Sequence, residues 1–281
     1  MDNVKVKKLL GRYQEYLIVD KGLSRRTAEG YSRSLSIALR RMRKYCPQYQ
    51  EIKDHILWMH NKNYSYSHIR NTTLSLEQFT ALKGNPVRFG RSKKPKRILT
   101  EFLSESEITR LLAAANNCIR RKAIVSLLAY SGIRNQELCN LKVQDVDLGA
   151  NELRVLGGKG IKDRITNISS ECTRTLIEYL SPYPRNQDEY LFTTLTRGKQ
   201  LSTWTVRKHL RILKEKAQIE RRVYPNLLRH SLASNLLKRG AGIILIKNQL
   251  GHAFIESTMI YTQSTSYRAK SEYDYFKPAY M

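Results

Sequence analysis

The sequence predicts a mainly α-helical protein of two domains with one small antiparallel sheet. Three observations carry this. Apolar residues recur at helical spacing through most of the 281 residues. One stretch, NELRVLGGKGIKDRITNIS, alternates like two strands around the turn GGKG. And KGNPVRFGRSKKPKR, Lys83 to Arg97, holds two Gly, two Pro, seven basic residues and no acidic one, the composition of a linker. The expected division is an N-terminal helical domain at 1–86, a basic linker at 87–102 and a second domain at 103–281.

The elements follow in order. Val6, Leu9, Leu10, Tyr13 and Leu17 mark a first helix, which Gly22 ends. Ser24 caps the next, where Ala28, Tyr31, Leu35, Ala38, Leu39 and Met42 share a face. Arg33, Arg40, Arg41, Arg43 and Lys44 surround that face as candidate DNA contacts. Two more helices are expected around Ile52–Lys62 and Ser67–Leu82. Arg91, Lys93, Lys94, Lys96 and Arg97 make the linker a second candidate phosphate contact, a plain solvated linker being the alternative. SESE, Ser104 to Glu107, is a capping box that opens the second domain. Helix follows through Leu111 and Leu112 and again over Ile119–Tyr130, until Gly132 stops it. After the strand pair, helices are expected at Glu171–Leu180, Thr203–Lys214, Leu227–Lys238, Ile243–Leu250 and Ser257–Tyr261.

Fifty Lys and Arg face twenty-four Asp and Glu, a formal charge of +26. Such a charge repels itself unless a polyanion is near. The excess runs along the chain rather than in a tail, which favours nucleic acid as the partner over a merely basic protein. Four scattered cysteines without a C-x-x-C indicate neither a zinc site nor a disulfide framework. The start lacks a secretory apolar core, and Ile243 to Ile246 is too short to span a bilayer. A cytoplasmic setting with no membrane partner is expected.

Several motifs carry chemistry. SGIRNQEL places Arg134 just after a helix-ending glycine, with Glu137 one turn on. A guanidinium held by a carboxylate is pre-oriented for phosphate oxygens, although the pair reads equally as a surface ion pair. GGKGIKDR sets Lys159 in a glycine turn, where Lys is also common without function. YPNLLRHS puts Arg229 and His230 among leucines after Pro225, and Arg is almost never buried unless paired. QLGHAFIESTMIYTQ has Gly251 ending a helix, His252 at the terminus, and Tyr261 beyond. With seventeen tyrosines, no one of them is informative alone.

As an ordered set these residues resemble the tyrosine recombinase, or phage integrase, family. The matching segments are SGIRNQEL, the hairpin lysine, LLRHS, LGH and TMIYT, and the likeness runs through nearly the whole chain. Size and layout are similar to compact bacterial Xer-type enzymes and transposon-borne resolvases. The resemblance implies a core-binding (SAM-like) helical domain and a catalytic domain. It implies that Tyr261 attacks a DNA phosphodiester to form a 3′-phosphotyrosine. Arg134 and Arg229 would stabilise the phosphoryl charge, Lys159 would protonate the leaving 5′-oxygen, His252 would hydrogen-bond the phosphate and Glu137 would hold Arg134. No metal or cofactor is implied. The partners implied are a double-stranded recombination site and three further copies in a synaptic homotetramer. The aromatic tail Tyr273–Met281 would dock on a neighbouring copy or on its own chain.

One position departs from the family pattern. Where a histidine normally stands three residues before the second arginine, this chain has Asn226. An amide can donate to a phosphate but cannot take the tyrosine proton. Three readings compete: Asn226 serves as donor only, which is favoured; His230, four residues on along the same helix, substitutes for the family histidine; or the enzyme is slow or silent. A silent DNA-binding protein of this fold and a type IB topoisomerase are the alternative functions.

Overall fold

The computed structural model describes residues 3–90, 102–157, 163–182, 185–194 and 198–251. The chain divides into two compact units, Met1–Arg97 and Ile98–Met281.

The first unit is four helices: α1 (Asn3–Val19), α2 (Arg25–Met42), α3 (Tyr49–Asn61) and α4 (Tyr66–Leu82). Ser24 caps α2 by accepting from the Thr27 N–H, and Ser65 caps α4 by accepting from the His68 N–H. The core gathers the apolar faces of all four: Tyr13, Leu17, Leu35, Leu39, Ile52, Leu76 and Phe79 are fully buried. Tyr13 cannot hide its hydroxyl unpaired, and it donates to the Ser75 carbonyl at 2.7 Å, while Ser75 Oγ donates to the Tyr31 carbonyl at 2.7 Å. Those two bonds fix α1, α2 and α4 against one another.

In the second unit, α5 (Glu105–Ala113) begins at the expected capping box. Ser104 Oγ accepts from the Glu107 N–H at 3.2 Å, and Glu107 returns the bond from the Ser104 N–H at 2.8 Å. Next comes α6 (Ile119–Ser131), buried along nearly its whole second half. It is the central post of the unit, with α5, α8 (Ser170–Leu180), α9 (Thr203–Lys216) and α10 (Pro225–Lys238) packed around it. The remaining helices are the short α7 (Asn135–Asn140) and α11 (Ile243–Leu250).

The sheet has three antiparallel strands in the order β1 (Val146–Asp147), β2 (Glu152–Val155), β3 (Arg164–Asn167). Leu153 faces Thr166 and Val155 faces Arg164 in the β2–β3 register. The strand pair is as expected. The third strand and α7 are not visible in the sequence because two and six residues are too short to show a period. The linker residues 91–101 and the helix expected at Ser257–Tyr261 lie outside the described residues.

Gly132 ends α6 in the left-handed region, at φ 65°. A Cβ there would sit 2.7 Å from Leu250 Cδ2 and 2.9 Å from Leu232 Cδ2. The position thus needs glycine for its backbone and for the close approach of α10 and α11. Gly132→Ala is expected to lower stability by more than about 1 kcal/mol, read as a shift of the urea midpoint at unchanged slope.

Candidate active site

The helix α10 begins with Pro225, whose missing N–H would be unpaired in the first turn anyway. One turn later Arg229 is 5 % exposed, in the interior of the unit. Burying a guanidinium requires donors to be met. Arg229 Nη1 donates to the Gly132 carbonyl at 2.7 Å and Nη2 donates to the Leu250 carbonyl at 2.6 Å. Gly132 and Gly251 are the left-handed C-caps of α6 and α11, so both acceptors belong to helix C-termini. There the last carbonyls lack helical partners and carry the negative end of the helix dipole. The sequence left this arginine to a phosphate alone; the fold supplies protein partners first.

This one side chain joins three motifs. Gly132 lies two residues before Arg134, and Leu250 two residues before His252. Further bonds lock the same junction. Gln249 Nε2 donates to the Asn167 carbonyl at 2.7 Å and Gln249 Oε1 accepts from the Asn167 N–H at 3.1 Å, so the amide pairs with β3 as a neighbouring strand would. Thr166 Oγ1 donates to the Gln249 carbonyl at 2.9 Å.

Arg134 stands at the start of α7 and is 38 % exposed at its side chain. Glu137 accepts from the Arg134 backbone N–H at 2.7 Å and from its Nη1 at 2.7 Å. The carboxylate also receives a second arginine that sequence reasoning missed. Arg164, the first residue of β3, donates from Nη1 to Oε1 at 3.0 Å and from Nη2 to Oε2 at 2.8 Å. Burial alone would raise the Glu137 carboxyl; the hydrogen bonds from Arg164 and Arg134 outweigh it and hold the group down at about 2. Two guanidiniums around one carboxylate leave a net positive site. The only sequence signal for Arg164 was its place in KDR at the hairpin's far end.

His230 is half-buried on α10, and burial together with the Arg229 charge lowers its pKa, so the imidazole is neutral at pH 7. Asn226 is exposed one turn before it. A groove along α9 is lined by Arg207, Lys208, Arg211, Lys214 and Arg222 with Trp204 and Tyr224, and by two carboxylates, Glu215 and Glu220. This basic face was also missed; its signal was Arg207, Arg211 and Lys214 at helical spacing. Lys159, His252 and Tyr261 lie outside the described residues.

The candidate DNA contacts of the first unit are partly engaged elsewhere. Arg41 lays its guanidinium 3.8 Å from the centre of the Trp58 ring, Arg40 reaches Asn3 Oδ1 at 3.3 Å, and Lys44 pairs with Glu51 at 3.1 Å. Arg43 is the left-handed C-cap of α2, and Arg33 is exposed. Arg91, Lys93, Lys94, Lys96 and Arg97 fall outside the described residues. No helix among the described residues is long and apolar enough to cross a membrane.

Glu137 has a folded pKa below its ordinary value of 4.5, so its pairing stabilises the fold above that value and is lost as pH falls toward about 2. Glu137→Gln is therefore expected to flatten the acid limb of stability between about pH 5 and pH 2, measured as urea midpoints across that range. An unchanged limb would mean that this carboxylate is not paired in solution.

The site has parts for holding a phosphodiester: a fixed buried cation and an accessible arginine oriented by a carboxylate. Comparison with known proteins agrees. A model of the phage integrase family matches residues 101–268. The tyrosine recombinase XerA of Pyrococcus horikoshii is 32% identical over 262 residues, 92% of this chain and 90% of the relative. A crystal structure of XerA recombinase is 32% identical, covers 98% of this chain and 100% of its own, and superposes with a TM-score of 0.58. A structure of the XerH site-specific recombinase bound to its difH substrate, 17% identical, has the same fold, with a TM-score of 0.70 over 96% of this chain and 89% of that one. With more than half of the sequence matched by the family model and a relative of this identity along nearly its full length, the chain belongs to the phage integrase family, the tyrosine recombinases, which cleave and rejoin DNA.

Proposed function

We propose that this chain is a site-specific recombinase of double-stranded DNA, with Tyr261 as nucleophile and Arg134, Arg229, Lys159 and His252 as its catalytic partners. One observation carries the reading. Arg229 is buried between the C-termini of α6 and α11, bonded to Gly132, two residues before Arg134, and to Leu250. Such a junction of segments distant in sequence supports the reading, because a phosphoryl-transfer centre needs its groups held in one geometry.

In the reaction, the Tyr261 oxygen attacks the scissile phosphorus and the bond to the 5′-oxygen breaks. The tyrosine proton leaves, and Lys159 gives a proton to the departing 5′-hydroxyl. The 3′-phosphotyrosine keeps the bond energy, so a second 5′-hydroxyl can attack it and reseal the strand without ATP. Arg134 and Arg229 offset the charge on the phosphoryl oxygens, the kind of preorganised contact worth roughly 10²–10³ in rate when one donor is lost. Glu137 holds Arg134 in place. Asn226 donates to the phosphate and leaves the tyrosine proton to the phosphate or to water. Neutral His230 is the second candidate acceptor. The basic face of α9 binds the DNA backbone, together with the exposed Arg33 and the linker cations. The chain acts as a homotetramer on two sites in the cytoplasm, resolving or integrating a mobile element, with no cofactor.

The test is a nicked suicide DNA carrying the site that the protein protects from nuclease next to its own gene. Wild type is expected to become covalently attached and Tyr261→Phe to lose the adduct altogether. An adduct with the Phe variant would move the nucleophile elsewhere. No adduct on DNA that wild type binds would make the chain a silent DNA-binding protein, and relaxation of plasmid lacking the site would make it a topoisomerase. On the same DNA at pH 7, Asn226→His is expected to cleave at or above the wild-type rate. Complete loss would show a site rebuilt around the amide.

A further inference from the structure

Arg164 has no role in the mechanism above, yet it is the more deeply placed of the two arginines on Glu137, with a side chain 10 % exposed against 38 % for Arg134. Its contact is a bidentate fork, one N–H to each carboxylate oxygen, at 3.0 and 2.8 Å. This geometry is rigid, because both planes are fixed at once. Arg134 by contrast reaches the same carboxylate with a single guanidinium N–H and its own backbone N–H. Arg134 is the more exposed partner, and its single guanidinium N–H leaves its plane free to turn about that bond. The rigid half of the cluster is the one made by Arg164.

A second contact extends the reach of this side chain. Gly251 is left-handed, at φ 65°, and a Cβ on it would lie 2.3 Å from Arg164 Cδ and 2.5 Å from Nε. The Arg164 stem therefore lies directly against the backbone that leads into His252. Arg164 Nε is buried and has no hydrogen-bond partner among the described residues. Arg164 also opens β3, which ends the hairpin carrying Lys159.

We propose that Arg164 is a positioning residue for DNA cleavage: by forking onto Glu137 it fixes the carboxylate that aims Arg134, and its stem sets the backbone next to His252. The proposal rests on the recombinase reading. It predicts that loss of Arg164 weakens the charge offset at the scissile phosphate while leaving the DNA-binding surfaces intact. Lysine cannot replace the fork, since it offers a point charge and no planar pair of donors.

The experiment uses the full chain and the nicked suicide DNA, with Arg164→Ala and Arg164→Lys beside Arg134→Ala and Glu137→Gln. Arg164→Ala is expected to bind the site within about threefold of wild type and to cleave roughly 100-fold slower in single turnover, with Arg164→Lys between the two. Replacing the scissile phosphate by a neutral methylphosphonate removes the charge that Arg134 offsets. On that DNA the deficits of Arg134→Ala and Arg164→Ala should shrink together to within about tenfold of wild type. Adding Arg164→Ala to Glu137→Gln should cost little beyond the worse single change, because the two act as one unit. Wild-type cleavage by a folded Arg164→Lys and Arg164→Ala overturns the proposal. So does a deficit that is the same on both phosphates, or one accompanied by equal loss of binding, since those mark a purely structural residue. Failure of wild type itself to form the adduct overturns the recombinase reading and this proposal with it; an adduct-forming wild type matched by its Arg164 variants overturns this proposal alone.

Discussion

A guanidinium clasped by two helix ends organises the catalytic unit. Arg229 costs free energy to bury, and two carbonyls at helix C-termini offset it. Each bond of this kind, to a charged group, contributes about 1.5–3 kcal/mol, against one neutral bond at about 1. The same carbonyls would otherwise be orphans, so the arrangement satisfies both sides at once. Both helices end in left-handed glycines, which turn the chain away at once and leave the carbonyls open to a side chain from α10. The buried cation and the helix terminations are therefore one structural problem with one solution.

Around that clasp the electrostatics run in one direction. Glu137 is the acidic group that answers Arg134 and Arg164, and its low pKa keeps it ionised through any physiological pH. The cluster keeps a net positive charge after pairing. A neutralised site would bind a phosphodiester weakly, and an unpaired set of arginines would repel itself. Sharing one carboxylate between two guanidiniums lies between those limits. The groove along α9, with five cations against two carboxylates, is also net positive.

Much of this was legible in the sequence, for local reasons. The Ser104–Glu107 box, the Ser24 cap and the Gly132 stop each depend on a few neighbouring residues, and each forms as the pattern implies. Glu137 was readable beside Arg134 because three residues make one helical turn. Arg164 was not, because its carboxylate lies 27 residues away and no local period connects them. Gln249 pairing with the edge of β3 is hidden for the same reason: 82 residues separate it from Asn167. The basic face of α9 was available as a helical spacing, yet it was masked by a chain in which cations occur nearly everywhere. Arg229 was noticed for its burial, but its acceptors are backbone atoms, which no residue identity announces.

The helix α11 has a small apolar anchorage. Ala233, Ile246 and Leu250 form a cluster apart from the main core, with Leu232, Leu236, Leu237 and Ala241 packed against it, and polar bonds add to the attachment: the Arg229 bond, the Gln249 amide and the Thr166 hydroxyl. Local opening is governed by just such balances, with free energies well below that of global unfolding. Release of this one helix would withdraw an acceptor from Arg229, unpair the edge of β3 and uncover the stem of Arg164, while the α6 core stayed folded. The geometry around Arg229 thus depends on the docking of one eight-residue helix.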